Sequence, residues 1–96
     1  MKTYATNGIP LEAQYLFRSG RELADSGSDE RALQKFKQAA MIAPCFSRAY
    51  HEAGICLTRL GRSDEAAIFH EKARHLAIRG SRVVTNDEEG RKRNNT

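Results

Sequence analysis

Tryptophan is absent, and cysteine and proline occur only twice each. Two cysteines, Cys45 and Cys56, cannot build a disulfide framework. Both are expected as reduced thiols, Cys56 packing as a small apolar residue. Cys45, His51 and Cys56 are six and five residues apart, and His70 and His75 five. Neither spacing matches a Cys-x-x-Cys or an i, i+4 histidine pair, so no metal and no other cofactor is expected. No run approaches the ~20 apolar residues of a membrane span. Met1 to Pro10 hold one early lysine and no apolar stretch. No secretory signal is read there, and a cytoplasmic location is the expectation. Also missing are a glycine-rich phosphate loop, a zinc-protease histidine pair and a Gly-x-Ser-x-Gly nucleophile turn. The acids Glu22, Asp25, Asp29 and Glu30 cluster at a helix end and the next helix start, where acids complement the N-terminal dipole. The chain is therefore not expected to be an enzyme.

What is present is a repeat. The 96 residues, with net charge +4, suit one small domain. At a spacing of 34 residues Gly20 recurs as Gly54, Leu23 as Leu57 and Gly27 as Gly61. Ala32 recurs as Ala66, Ala39 as Ala73 and Ala43 as Ala77. Small residues recur where helices must approach closely, because a larger side chain would push their axes beyond the usual 8–10 Å. Gly27 and Gly61 fall where a left-handed residue ends a helix cheaply. Asp29 and Ser63 follow them and are expected to cap the next helix.

This pattern resembles the tetratricopeptide (TPR) family, whose unit is a helix-turn-helix of this length. The resemblance covers about residues 13–80. It implies an all-α fold: two units, about 13–46 and 47–80, forming four antiparallel helices in a short right-handed solenoid. The expected helices are about 11–26, 29–43, 47–60 and 64–79, with Gly80 ending the fourth. Ala32, Phe36, Ala39, Leu57, Ala66 and Ala73 are the expected core. Residues 1–10 read as a lead-in broken by Asn7-Gly8 and Pro10. Residues 81–96 read as a disordered polar tail.

The outer faces are polarised. Leu33, Phe36 and Ala40 of the first unit correspond to Ala67, His70 and Arg74 of the second, so the latter face is expected to meet water. Glu22 and Ser26 stand where the second unit has Cys56 and Leu60. The pattern suits the terminal repeats of a solenoid, and the chain reads as a complete two-repeat protein. A monomer is expected, with a homodimer through Ile68, Phe69, Val83 and Val84 as the alternative.

In the resembled family, the first helix of each unit lines a groove. Helical spacing places Gln14, Phe17, Arg18, Arg21 and Ala24 there from the first unit. The second supplies Arg48, His51, Ile55, Thr58 and Arg59, with Glu52 at the margin. Arginine forks hold carboxylates and phosphates bidentately, while Phe17 and Ile55 would take an apolar side chain. The expected function is a protein-interaction module, an adaptor or small chaperone-like partner, that binds a peptide of acidic character. The alternative is a basic nucleic-acid-associated protein, suggested by the net charge and by Arg91-Lys92-Arg93. Nucleic acid is the less favoured partner, because acids interrupt the positive charge and no tyrosine aligns with it. The family subclass that clamps chaperone C-termini wants lysine and asparagine at Phe17 and Arg21, and asparagine at Glu52. That match fails.

Overall fold

The computed structural model describes residues 8–85, with side chains through Ile78. Among these residues there are four helices and no strand: α1 (Leu11–Asp25), α2 (Asp29–Ile42), α3 (Ser47–Arg59) and α4 (Ser63–Thr85). Short turns fold α1 onto α2 and α3 onto α4. Two helical hairpins result, joined where α2 packs on α3.

Both hairpin turns are built alike, 34 residues apart. Gly27 and Gly61 take φ of +88° and +80°, which only glycine adopts without cost. In the first turn the Gly27 amide donates to the Ala24 carbonyl and the Ser28 amide to Leu23. In the second, Gly61 donates to Thr58 and Arg62 to Leu57. This is the Schellman arrangement, which satisfies carbonyls that the ending helix leaves without partners.

The expected core is present. Ala32, Phe36, Ala39, Leu57, Ala66 and Ala73 are all buried, joined by Leu33, Ala49, Ala53 and Cys56. Gly20 and Gly54 are close-approach points within each hairpin. A Cβ at Gly20 would lie 2.7 Å from the ring of Phe36, and one at Gly54 would lie 2.7 Å from the ring of His70. The glycines are therefore slots for rings on the facing helix.

Five expectations change. His70 is half-buried over Gly54 rather than turned to water, because it does for the second hairpin what Phe36 does for the first. Its neighbours Ala67 and Arg74 are exposed as expected. Asp29 makes no capping bond: Ser28 precedes α2, and no side chain caps its amides. The Asp29 carboxylate instead accepts from Arg59 at 3.1 Å, across the junction between hairpins. Gly80 does not end α4, whose backbone continues to Thr85. One glycine in a helix interior costs only about 1 kcal/mol relative to alanine, less than the hydrogen bonds on either side can carry. The tail expected to be disordered over 81–96 is helical in its backbone through Thr85, and its remainder, 86–96, lies outside the described residues. Finally, Ile9 of the lead-in is buried in the core. The Gln14 side-chain amide donates to its carbonyl at 3.1 Å, tying the segment to α1.

Candidate functional site

The site forms where the start of α3 crosses the inner side of α1. Phe17 is its floor. It is only 8% exposed and lies between two other rings, with centroids 5.5 Å from Phe36 and 5.0 Å from Phe46. Such tilted aromatic pairs contribute about 0.5–1.5 kcal/mol beyond the area they bury, so the floor is rigid.

Two guanidinium groups cover this floor. The Arg48 Cζ lies 5.0 Å from the Phe17 ring centroid and the Arg21 Cζ 5.9 Å. A cation over a ring face gains about 0.5–1 kcal/mol at an exposed site. Such contact restrains an arginine while its N–H edges stay free, and these edges are what a carboxylate or phosphate needs. Around them opens a cavity of about 420 Å³, lined by Ile9, Gln14, Phe17, Arg18, Arg21, Glu22, Phe46 and Arg48.

The local charge is unbalanced. Arg59, Arg62 and Arg74 each pair with a carboxylate. Among the described residues none lies within ion-pair distance of Arg18, Arg21 or Arg48. Glu22 also lines the cavity, so three arginines face one acid there.

The structure thus gathers five of the eight expected groove residues: Gln14, Phe17, Arg18, Arg21 and Arg48. The other three lie elsewhere. Arg59 is held by Asp29. His51 sets its ring edge-on to His70 at 5.4 Å, toward α4. Ile55 is half-buried on α3, outside the cavity lining. Thr58, also on the expected groove face, donates its hydroxyl to the Gly54 carbonyl at 3.0 Å. Phe17 is a buried floor rather than an exposed apolar contact. Sequence reasoning missed Ile9, Phe46 and Glu22. Ile9 was hidden in an irregular lead-in and Phe46 in a link, where helical periodicity gives no signal. An apolar residue just before each helix pair was the available clue.

The cysteines lie outside the cavity. Cys45 is exposed. Cys56 is buried, and burial, reinforced by the nearby Asp29 carboxylate, pushes its thiol up to about 11. Among the described residues no group of three or more histidine, cysteine or acidic side chains could hold a metal. No described helix is long and apolar enough to cross a membrane.

No protein-family model matches the chain, and no solved structure does. The chain is similar to an uncharacterized protein of Methanocaldococcus jannaschii, 33% identical over 55 residues. The match takes in 57% of this chain and spans 64% of the length of that relative.

Proposed function

We propose that the chain is a two-unit tetratricopeptide-type interaction module that binds a protein segment carrying acidic and apolar side chains. One observation carries the reading: Arg21 and Arg48 stand over a rigid phenylalanine floor without a carboxylate partner among the described residues. Arg59, Arg62 and Arg74 are paired internally, whereas Arg21 and Arg48 remain available to an outside anion. A charge-assisted, bidentate bond to a carboxylate is about twice as strong as a neutral hydrogen bond. The apolar walls supplied by Ile9 and Phe46 suit an aliphatic neighbour of that carboxylate. The 34-residue repeat, the paired turns and the glycine slots support the family reading. The role is binding, with specificity set by shape and charge.

The test is capture of a partner from source lysate, with nuclease present, followed by its identification. Arg21→Glu/Arg48→Glu should abolish capture while leaving the helical circular dichroism intact, because both side chains are exposed. Arg31→Glu/Lys37→Glu makes the same charge change on α2, away from the cavity, and should leave capture intact. Equal loss in both variants, or dependence of capture on nucleic acid, would replace a specific groove with diffuse electrostatic attraction.

A further inference from the structure

We infer that the anion taken by the arginine cavity is a phosphate monoester, so that the partner docks by a phosphorylated side chain. The inference deepens the reading proposed above and rests on it.

Charge favours a dianion. Arg18, Arg21, Arg48 and Glu22 are the charged side chains that line the cavity. Three positive charges against one negative leave an excess of two. A carboxylate balances half of that excess. A phosphate monoester, at about −1.5 to −2 near pH 7, balances nearly all of it. The fold does not relieve the excess itself, since none of the three arginines has a carboxylate at ion-pair distance among the described residues.

Shape favours the same ligand. Arg21 comes from α1 and Arg48 from α3, and their Cζ atoms lie 5.9 Å and 5.0 Å from one ring centroid, that of Phe17. A single guanidinium fork, used side-on, occupies both oxygens of a carboxylate. A phosphate monoester has three acceptor oxygens, so it offers a second edge to a fork that arrives from another helix. Arg18, three residues before Arg21, faces the same side of α1 and supplies the third charge. Ile9 and Phe46 form an apolar wall where a side chain next to the phosphate would lie.

The positive patch is short. On α1 it is bounded by exposed Asp25, one turn past Arg21, and by uncharged Gln14, one turn before Arg18. It suits one anion rather than a nucleic-acid strand, which carries a single charge per phosphate and follows a continuous positive track. Docking would then follow the phosphorylation state of the partner.

The test titrates the full chain with two blocked five-residue peptides, alike except that one has phosphoserine and the other glutamate between two leucines. Arginine Nε–H signals of ¹⁵N-labelled protein report the site. At about pH 7.5 the phosphopeptide should shift Arg18, Arg21 and Arg48 but not Arg31 on α2. It should bind at least about fivefold more tightly than the glutamate peptide, the effect of one extra unit charge at about 4 Å in water. That advantage should fall to about twofold or less at about pH 5, where the phosphate has taken up a proton and glutamate is still ionised. The arginines keep their charge over this range. Glu22, and the histidines outside the cavity, act on both peptides alike. Arg48→Gln removes one charge and one fork and should at least halve the preference. Equal affinity for the two peptides, arginine signals that stay still, or a preference untouched by acid or by Arg48→Gln would overturn the proposal. So would tighter binding of a short single-stranded oligonucleotide, since the phosphate recognised would then belong to nucleic acid. Phosphatase treatment of the source lysate should abolish capture of the partner. Capture that survives phosphatase yet depends on Arg21 and Arg48 would sink the phosphate and leave the cavity as the binding site. Capture indifferent to those arginines would remove the cavity itself.

Discussion

Alanine substitution at the two ring slots should give opposite outcomes, although both positions are mid-helix glycines. On propensity alone, each change gains about 1 kcal/mol, because glycine is the poorer helix former. The packing term differs. A Cβ at Gly20 would sit 2.7 Å from Cε1 and 2.9 Å from Cδ1 of Phe36. Phe36 is fully buried and is backed by Phe17, so its ring has nowhere to go. Overpacking of this kind costs typically about 1–3 kcal/mol. The net effect of Gly20→Ala is then a loss of about 1 kcal/mol, with the range running from neutral to about 2. A Cβ at Gly54 would meet His70 just as closely, at 2.7 Å from Cε1. His70, however, is only half-buried and its ring can swing toward water. Gly54→Ala should therefore be neutral, or stabilising by up to about 0.5 kcal/mol. One kcal/mol moves the melting temperature of a domain this small by roughly 4–8 °C. Thermal melts by circular dichroism should show a drop of about that size for Gly20→Ala and no drop for Gly54→Ala. Phe36→Leu should soften the penalty of Gly20→Ala when the two are combined, a coupling that a double-mutant cycle reads directly. Stabilisation by Gly20→Ala would refute the close approach, leaving only helix propensity at work.

Gly54→Leu goes further than alanine, since moving His70 aside does not clear room for a branched side chain, and should cost about 1–3 kcal/mol in urea melts. A thiol reagent at pH 8 should modify exposed Cys45 rapidly and leave Cys56 unmodified until the chain unfolds, because burial holds the Cys56 thiol near 11. The sign for stability follows: the unfolded thiol ionises first, so this contribution is intact below about pH 9 and is lost as pH rises toward about 11. Asp29→Ala and Arg59→Ala should show a coupling of only about 0.2–1 kcal/mol, shrinking in high salt, because Arg59 is largely solvent-exposed. Gly80→Ala should raise helicity by circular dichroism, since α4 runs through that position.

The fold was legible because its signals are periodic. The 34-residue spacing fixed the two turns, and the left-handed Gly27 and Gly61 sit where the chain must reverse. Helix starts and ends fell within a residue or two of expectation, apart from the far end of α4. There a single glycine suggested a stop that the backbone does not make. The site was legible in half. Positions on α1 are read well by helical spacing, and Gln14, Phe17, Arg18 and Arg21 do share one cavity with Arg48. Spacing on α3 could not show that Arg59 has a carboxylate 30 residues away, nor that His51 turns toward His70. Those are partnerships between elements, and one helix's periodicity carries no information about its neighbour's side chains. His70 misled for a related reason. A polar residue type suggested water, whereas the bare backbone of Gly54 gives its ring a place to lie. Ile9 and Phe46 carry no period at all, and their burial depends on how the link and lead-in fold over α1.

The most direct test of the cavity as a binding site is a backbone amide NMR titration of the full chain with the segment of the captured partner that suffices for binding. Shifts should concentrate at Gln14, Phe17, Arg18, Arg21, Phe46 and Arg48, and the same titration of Arg21→Glu/Arg48→Glu should leave those signals still. Shifts centred instead on the exposed Ile68 and Ile78 side of α4, or a response that survives the double substitution, would contradict the account.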